Sequence, residues 1–282
     1  MVGQLWTLIF LDPMINILVL LYRLLFNNFA LAIVGLTVLI RLITYPLTGQ
    51  QLKSMKAMQE LGPQLQALQK KYAKDREKLS QETMKLYKEH GINPAGGCLP
   101  MLVQMPVWIG LYQAIYQVVG ETPEQLITLS QHLYQEVPFL YNLTRLAIPL
   151  NSRFLWLNLA QPDPGLFPSL PMPLNVPILA ILVVVTFWIQ QKMTTVPSAD
   201  PQQASMNRSM QIMMPLMFGF FTLQVSSGLA IYWVVSGLLG LIQQYLTTGW
   251  GGLRRPLAKG EAPREEDGEE ERRRKKRRGK RQ

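Results

Sequence analysis

The sequence has almost none of the residues from which redox, metal and hydrolytic sites are built. Its single cysteine, Cys98, allows no disulfide within the chain, and there is no CxxC pair or Cys/His ligand set. The two histidines, His90 and His132, stand in different segments, and neither belongs to a HExxH zinc motif. A glycine-rich P-loop for a nucleotide is also missing. We therefore expect no cofactor, no metal site and no enzymatic activity.

Charge is scarce as well, because only 16% of the 282 residues are charged while 48% are apolar. A soluble helical bundle would show a polar face on each helix, yet residues 178–189 carry only Thr186 as a polar side chain. A helix needs roughly 20 apolar residues to cross a bilayer core of about 30 Å. The chain is therefore predicted to be an all-α membrane protein. Its five transmembrane helices are placed at about 29–47, 99–119, 176–191, 210–225 and 229–246.

Lys and Arg are unevenly distributed between the segments that join these spans. The 50–98 segment has nine of them, whereas the 120–175 segment, for which the sequence suggests no role, has two. Basic segments stay in the cytoplasm. We therefore expect the N-terminus outside, the 120–175 segment outside and the C-terminus in the cytoplasm.

The chain is divided into an outer N-terminal segment, a five-span core and a basic tail, at 1–28, 29–248 and 249–282. Within the first region, residues 13–26 are apolar but include Asn16 and Arg23, and they leave no room for a loop before the next span. We predict an interfacial amphipathic helix on the outer surface in preference to a sixth span.

Residues 50–91 are predicted to form a cytoplasmic helical hairpin. Pro63 suits the first turn of one helix, Asp75 suits the N-cap of the next, and Gly91 suits its end. The apolar residues of the first helix recur every three or four positions, at Leu61, Leu65, Leu68 and Tyr72.

The tail ends in RRRKKRRGKR, nine basic residues in ten. Such a block is expected to be disordered. The tail could bind either anionic lipid or ribosomal RNA, because both present dense negative charge, and the sequence favours neither partner.

Arg41 is the most informative residue, because it lies inside the first predicted span, about 18 Å from its start. A charge at the centre of a membrane costs roughly 2.5–3.5 kcal/mol on insertion scales. None of the five predicted spans contains Asp or Glu, so a salt bridge within the membrane is excluded. Arg41 must either snorkel to the inner headgroups or face a hydrated cavity in the bundle, and we favour the cavity.

Other polar side chains in the spans could line such a cavity or join helices by hydrogen bonds. They are Gln104, Gln113, Gln117, Gln190, Gln191, Gln224, Tyr232 and Trp233. The fourth span also has a stripe of methionines, at Met206, Met210, Met213 and Met217. Methionine adapts to apolar partners of many shapes, but it also fills gaps in ordinary cores, and the sequence does not decide between these roles.

Three stretches of the chain match the landmarks of one known family in order. TVLIRLITYPL, from Thr37 to Leu47, is similar to the family's first core span. NPAGGCLPMLVQMPVWIGLY, from Asn93 to Tyr112, is similar to its second-span signature, and SGLAIYW, from Ser227 to Trp233, to a later landmark. These stretches resemble the YidC family of membrane protein insertases, in its bacterial type without the large periplasmic domain.

The resemblance implies a bacterial inner-membrane protein that inserts nascent membrane proteins into the lipid bilayer. It would do so through a hydrated groove open to the cytoplasm, without ATP hydrolysis, alone or beside the Sec translocon and with ribosomes held by the tail. Arg41 is then the groove cation, and Thr37, Gln191, Tyr232 and Trp233 are substrate-binding wall residues.

Two other functions are compatible with the residues. One is an anion channel or transporter that uses Arg41 as a binding site, and the other is a scaffold that only packs against a translocon. The sequence has no internal repeat of the kind found in many transporters, which argues against the first.

Overall fold

The structure is a computed structural model that describes residues 2–92, 99–119, 123–134, 150–166, 176–195 and 201–250. In chain order its helices are α1 (Val2–Trp6), α2 (Asp12–Leu24), α3 (Phe29–Glu60), α4 (Gly62–Lys71), α5 (Arg76–Glu89), α6 (Leu99–Val118), α7 (Pro123–His132), α8 (Ile178–Thr194), α9 (Pro201–Thr222) and α10 (Ser227–Thr248). A π-helical turn, Thr7–Leu11, joins α1 to α2. Two short antiparallel strands, β1 (Arg153–Phe154) and β2 (Leu157–Asn158), precede α8.

The predicted all-α membrane fold is confirmed. Among the described residues, Gly3–Leu24, Phe29–Glu60 and Ser227–Thr248 are long and apolar enough to cross a membrane, and Ile178–Thr194 is a shorter apolar helix. The helices over the second and fourth predicted spans, α6 and α9, have 20 and 22 residues. The helices over the last two predicted spans extend beyond the predicted limits, since α9 begins at Pro201 and α10 ends at Thr248.

Helix α3 continues well beyond the first predicted span. It has 32 residues, which at about 1.5 Å each is a length of about 48 Å, more than a bilayer core of about 30 Å. Asn28 caps its start by accepting a 3.1 Å hydrogen bond from the Leu31 amide. The helix passes through Pro46 and ends only before Gly62 and Pro63. Residues 50–60 therefore belong to α3, and the hairpin begins at Gly62 rather than at residue 50.

Helices α4 and α5 form the predicted hairpin. Asp75 caps α5, since its carboxylate accepts a 3.1 Å hydrogen bond from the Lys78 amide. Pro63 lies in the first turn of α4, and Gly91 follows α5 with a φ of 65°, a value that favours glycine. These sequence signals are confirmed. A small apolar core lies between the two helices, formed by Leu61, Leu65 and Leu79 with Leu68, Tyr72, Leu86, Tyr87 and Ile92 around them.

The N-terminal helical segment is longer than predicted, because it begins at Val2 and not at residue 13. It packs against α3 and α6, and its buried Asn16 ties it to α7. The Asn16 amide donates to the carbonyl oxygens of Asp12 and His132, both at 2.8 Å, and accepts from the Tyr134 amide at 3.0 Å. His132 Nδ1 also lies 2.6 Å from the Asp12 carboxylate. The interfacial position of this segment stays a prediction.

Helix α10 is the most buried helix of the described core and packs against both α3 and α8. Its first residues are Ser227 and Gly228. Their amides donate to the carbonyl oxygens of Gln161 and Leu159, at 2.7 and 3.1 Å. The loop between β2 and α8 thus supplies acceptors for amides that have no partner within the helix. Gly228 allows this contact, because a Cβ there would lie 3.1 Å from the Leu159 oxygen.

Much of the 120–175 segment and all of the basic tail beyond Trp250 lie outside the described residues, as do residues 93–98 of the second-span signature. In the described part, Leu155 and Trp156 form the exposed tip between β1 and β2. In the segment that follows β2, the Asp163 carboxylate accepts a 2.9 Å hydrogen bond from the Gly165 amide, an arrangement typical of a turn.

Candidate functional site around Arg41

The Arg41 side chain reaches from α3 to a single residue of α10, Ser236. Its Nε donates to Ser236 Oγ at 3.1 Å, and its Nη2 donates to the same oxygen at 2.8 Å. Nη2 also donates to the Ser236 main-chain carbonyl at 2.5 Å. The residue is half-buried. The guanidinium is therefore fixed against the neighbouring helix instead of extending along its own helix toward the headgroups.

Small residues on α10 make this close approach possible. Ser236, Gly237 and Gly240 form the face that meets α3 and α8. A Cβ on Gly240 would lie 3.0 Å from Arg41 Nη2 and 2.2 Å from Nε2 of Gln190. Small side chains at such spacing let membrane helices pack with their backbones close together. Three helices thus converge at Arg41, each with one polar side chain.

The charge of Arg41 is not balanced by an acid. No carboxylate lies within salt-bridge distance of it in the described part of the chain, as the absence of Asp and Glu from the predicted spans led us to expect. Both of its acceptors are neutral oxygens of Ser236. A neutral partner satisfies N–H groups but leaves the positive charge to act on whatever enters the site.

Tyr232 is the predicted wall residue that lies nearest to this arrangement, one helical turn before Ser236. Its side chain is almost completely buried, with 1% exposed. The hydroxyl accepts a 2.8 Å hydrogen bond from Gln104 Nε2 on α6. Tyr232 therefore links α10 to α6 beside the arginine.

Trp233 points into an aromatic cluster and not toward Arg41. Its ring centroid lies 6.1 Å from that of Trp108 and 5.6 Å from that of Phe218, with Phe187 a further 4.7 Å from Phe218. The buried indole Nε1 has no hydrogen-bond partner among the described residues. The cluster holds α6, α8, α9 and α10 together at this level.

The other two predicted wall residues are not joined to Arg41 by a hydrogen bond in the described structure. Thr37 is buried and donates to the Ile33 carbonyl of its own helix at 2.6 Å. Gln191 lies near the end of α8, where its main-chain oxygen accepts from two threonine hydroxyls. The glutamine that lies beside Arg41 is Gln190, the residue that precedes Gln191 in α8.

Sequence reasoning did not select Ser236 or Gly240 as functional residues. The signal that could have found them is the spacing of small residues in the last span, Ser236-Gly237 followed by Gly240, which favours close helix packing. The serine in this run also offers a hydroxyl oxygen as an acceptor. The arginine on another span would then need only the correct rotation of the two helices to reach it.

Two helices near the site carry exposed apolar stripes. On α9 the four methionines of the predicted stripe are all exposed, at Met206, Met210, Met213 and Met217. On α6 the same four-three-four spacing is followed by exposed residues at Met105, Ile109, Tyr112 and Tyr116. Such large unpartnered apolar faces are expected of surfaces that meet lipid or an apolar ligand.

Among the described residues, two cavities lie away from Arg41. One, of about 380 Å³, is an open groove between α4 and α5 over Leu68 and Leu86. The other, of about 340 Å³, lies at the opposite end, between Tyr112 and Tyr116 of α6 and the turn before α10. Arg41 lines neither.

The family follows from comparison with known proteins. A family model described as 60Kd inner membrane protein matches residues 20–251, which is most of the chain. The chain belongs to this family, which is that of the YidC insertases. The relationship expected from the motifs is thereby confirmed, and the apolar helices and the family together indicate a multi-pass inner-membrane protein.

Relatives in both bacteria and chloroplasts are similar to this family member. A membrane protein insertase YidC of Nitratidesulfovibrio vulgaris is 36% identical over 85% of this chain and 38% of its own length. An ALBINO3-like protein 1, chloroplastic, of Arabidopsis thaliana is 38% identical over 82% of this chain and 45% of its own length. The chain therefore spans less than half the length of these relatives.

One solved structure also overlaps with the chain. It is described as an active YidC insertase crystal structure with the first transmembrane domain resolved. The TM-score is 0.48 at 29% identity, and the overlap covers 78% of this chain and 41% of that one.

Proposed function

We propose that the chain is a membrane protein insertase and chaperone. It passes hydrophobic segments of nascent proteins into the lipid bilayer through a hydrated groove that is open to the cytoplasm and contains Arg41. The observation that carries this proposal is a half-buried guanidinium held by neutral oxygens of Ser236, with no carboxylate nearby in the described structure. Family membership and relatives that are named insertases support it.

The positive charge of Arg41 would act on the hydrophilic tail of a substrate. An unbalanced charge in a low-dielectric region attracts an acid much more strongly than the same charge does in water. A hydrated groove also shortens the distance over which the tail must cross hydrocarbon. In an inside-negative membrane, each acid moved outward gains up to about 2.3 kcal/mol per 100 mV, so that no nucleotide has to be hydrolysed and no enzymatic step is needed.

The apolar segment of the substrate would leave along the exposed stripes of α6 and α9. Both stripes run along the length of a helix that borders the aromatic cluster next to the site. Methionine side chains on α9 are flexible, so they can contact apolar segments of different sequence. This use of the methionines fits their exposure better than filling of an internal gap.

The proposal includes an orientation and partners. The uneven distribution of Lys and Arg supports an N-terminus outside and a C-terminus in the cytoplasm. In that orientation the basic tail faces ribosomes that deliver nascent chains, and the hairpin of α4 and α5 lies on the same side. Nascent membrane proteins and lipids are the partners of the groove, and the Sec translocon is a further partner for larger substrates.

The test replaces Arg41 by Ala and by Lys in the full chain, purified and reconstituted in liposomes. Insertion of a single-span substrate with two aspartates in its outer tail should fall severalfold with Ala and partly recover with Lys. A stably folded Ala variant with undiminished insertion would overturn the role of the cation. The same liposomes separate the rival functions, because anion flux without insertion would indicate a transporter and neither activity a scaffold.

Water in the groove is tested by thiol accessibility. The lone cysteine is first replaced, as Cys98→Ser, and Arg41→Cys is then introduced as the single thiol. An aqueous maleimide added from the cytoplasmic side of intact membranes should label position 41. The matched control is Leu36→Cys in the same cysteine-free background. Leu36 is only 2% exposed in the core, so this thiol should stay unlabelled. If both thiols were equally protected from the maleimide, the proposal of a hydrated groove at Arg41 would be wrong.

A further inference from the structure

Ser236 accepts hydrogen bonds from two of the three nitrogens of the Arg41 guanidinium. Arginine has five N–H groups, one on Nε and two on each Nη nitrogen. Three hydrogen bonds go to Ser236, from Nε and Nη2 to its hydroxyl and from Nη2 to its carbonyl. Both N–H groups of Nη2 are therefore committed to one residue. Nη1 donates to no described residue and is not among the buried atoms without a partner.

This commitment has a geometric consequence for an incoming acid. A guanidinium grips a carboxylate strongly when two parallel N–H groups face its two oxygens. Arginine has two such edges, formed by Nε with Nη2 and by Nη1 with Nη2. Nη2 belongs to both edges, and its hydrogens already point at Ser236. Only the single nitrogen Nη1 is left for an acid.

We infer that Ser236 is a positioning residue that keeps Arg41 from binding substrate acids by two parallel hydrogen bonds. The charge still attracts an acidic tail, but the tail is held through one nitrogen and leaves readily. The site thereby suits a passing chain rather than a retained anion. This inference rests on the proposed function, since it concerns how the groove treats the same substrates.

The test measures how long a substrate stays, in addition to how much is inserted. The full chain in liposomes is loaded with a single-span protein that carries a photocrosslinker and two aspartates in its outer tail. A counterpart with two asparagines is the comparison. Unlabelled substrate is then added, and the decay of crosslinks gives the residence time of each tail.

Ser236→Ala removes the hydroxyl and frees the edge formed by Nε and Nη2. The residence time of the aspartate tail should lengthen about tenfold, as expected for one additional charge-assisted hydrogen bond, while that of the asparagine tail stays unchanged. Ser236→Cys, which is close in size but a weak acceptor, should act in the same direction. Ser236→Thr keeps the hydroxyl and should restore the original residence time.

Thr48→Val is the matched control, because it removes a hydroxyl two turns from Arg41 that donates to the Thr44 carbonyl at 3.0 Å and not to the arginine. It should change neither tail. Equal lengthening for both tails, or none for the aspartate tail in Ser236→Ala and Ser236→Cys, would overturn this inference. If instead Arg41→Ala does not alter the difference between the two tails, the proposed role of the cation fails, whatever Ser236 does.

Discussion

Gln104 on α6 donates a 2.8 Å hydrogen bond to the hydroxyl of Tyr232 on α10. The tyrosine is almost fully buried, so water has little access to its hydroxyl. Apolar packing between two membrane helices leaves their relative rotation weakly specified, because lipid and side chains are equally apolar. This polar contact therefore helps to fix the face that α10 presents to Arg41.

A double-mutant cycle should detect this coupling. Tyr232→Phe and Gln104→Leu should each lower the free energy of unfolding in detergent, and the double variant should lose less than their sum. The coupling should be about 0.6 kcal/mol and at most about 1.7 kcal/mol, as for other hydrogen bonds between membrane helices. Tyr112→Phe, at an exposed tyrosine of α6, is the control and should be neutral. Additive losses would mean that the contact contributes nothing.

Gly240 provides the space that the site occupies. In Gly240→Ala, the new methyl group would lie 2.2 Å from Gln190 Nε2 and 3.0 Å from Arg41 Nη2, so both side chains must move. We expect insertion of an acidic-tailed substrate to fall severalfold more than that of a neutral-tailed one. The measurement is the ratio of the two insertion yields in liposomes.

Gly49→Ala is the matched control for this substitution. Gly49 also lies in a helix, but a Cβ there has no other atom within 4 Å. Alanine should stabilise that helix by roughly 0.5–1 kcal/mol and leave the ratio of yields unchanged. A ratio that is unaffected in Gly240→Ala as well would show that the glycine is not needed for the site.

The sequence predicted those parts of the fold that depend on local pattern. The helix at 178–194 follows from an apolar run without a polar face, and the hairpin follows from Pro63, Asp75 and Gly91. The C-terminal limit of α3 was missed because the predicted span followed the apolar run, which stops at Leu47, whereas the helix passes through Pro46 and continues over polar residues to Glu60. A proline inside a membrane helix is tolerated when neighbouring groups satisfy the freed backbone oxygen.

The site was only partly predictable for a different reason. Arg41 could be identified from the sequence alone, because it is a charged residue within a predicted span and none of the predicted spans contains an acid to pair with it. Its partner, Ser236, is 195 positions away, and any of several hydroxyls and amides could have been the acceptor. The choice depends on the rotation of α3 and α10 about their axes. The apolar pattern does not specify that rotation, because a helix that is apolar on all sides has no polar face to orient it.

Asn16 should hold the N-terminal helical segment to α7. Its buried amide makes three hydrogen bonds, and Asn16→Leu would leave the His132 carbonyl and the Tyr134 amide without partners. The free energy of unfolding should fall by about 1–3 kcal/mol, the cost of an unsatisfied buried group. Hydrogen exchange of the Tyr134 amide should accelerate. Ser130→Ala, which removes a hydroxyl bonded only within α7, should leave this exchange rate unchanged.

Asp75 should stabilise the hairpin as a helix cap and not through its charge. Asp75→Ala removes the acceptor for the Lys78 amide and should cost about 1 kcal/mol, whereas Asp75→Asn keeps an acceptor and should cost little. The ion pair between Asp75 and the Lys78 side chain is 3.7 Å long and exposed, so Lys78→Ala should also be nearly neutral.

The measurement is hydrogen exchange at the first turn of α5 in the full chain. Exchange of the residue 78 amide should accelerate about fivefold in Asp75→Ala, since about 1 kcal/mol of local stability is lost there. Neither Asp75→Asn nor Lys78→Ala should change it by more than about twofold. If Asp75→Asn exchanged as fast as Asp75→Ala, the carboxylate charge near the positive end of the helix dipole would be the source of stability, and the capping explanation would be wrong.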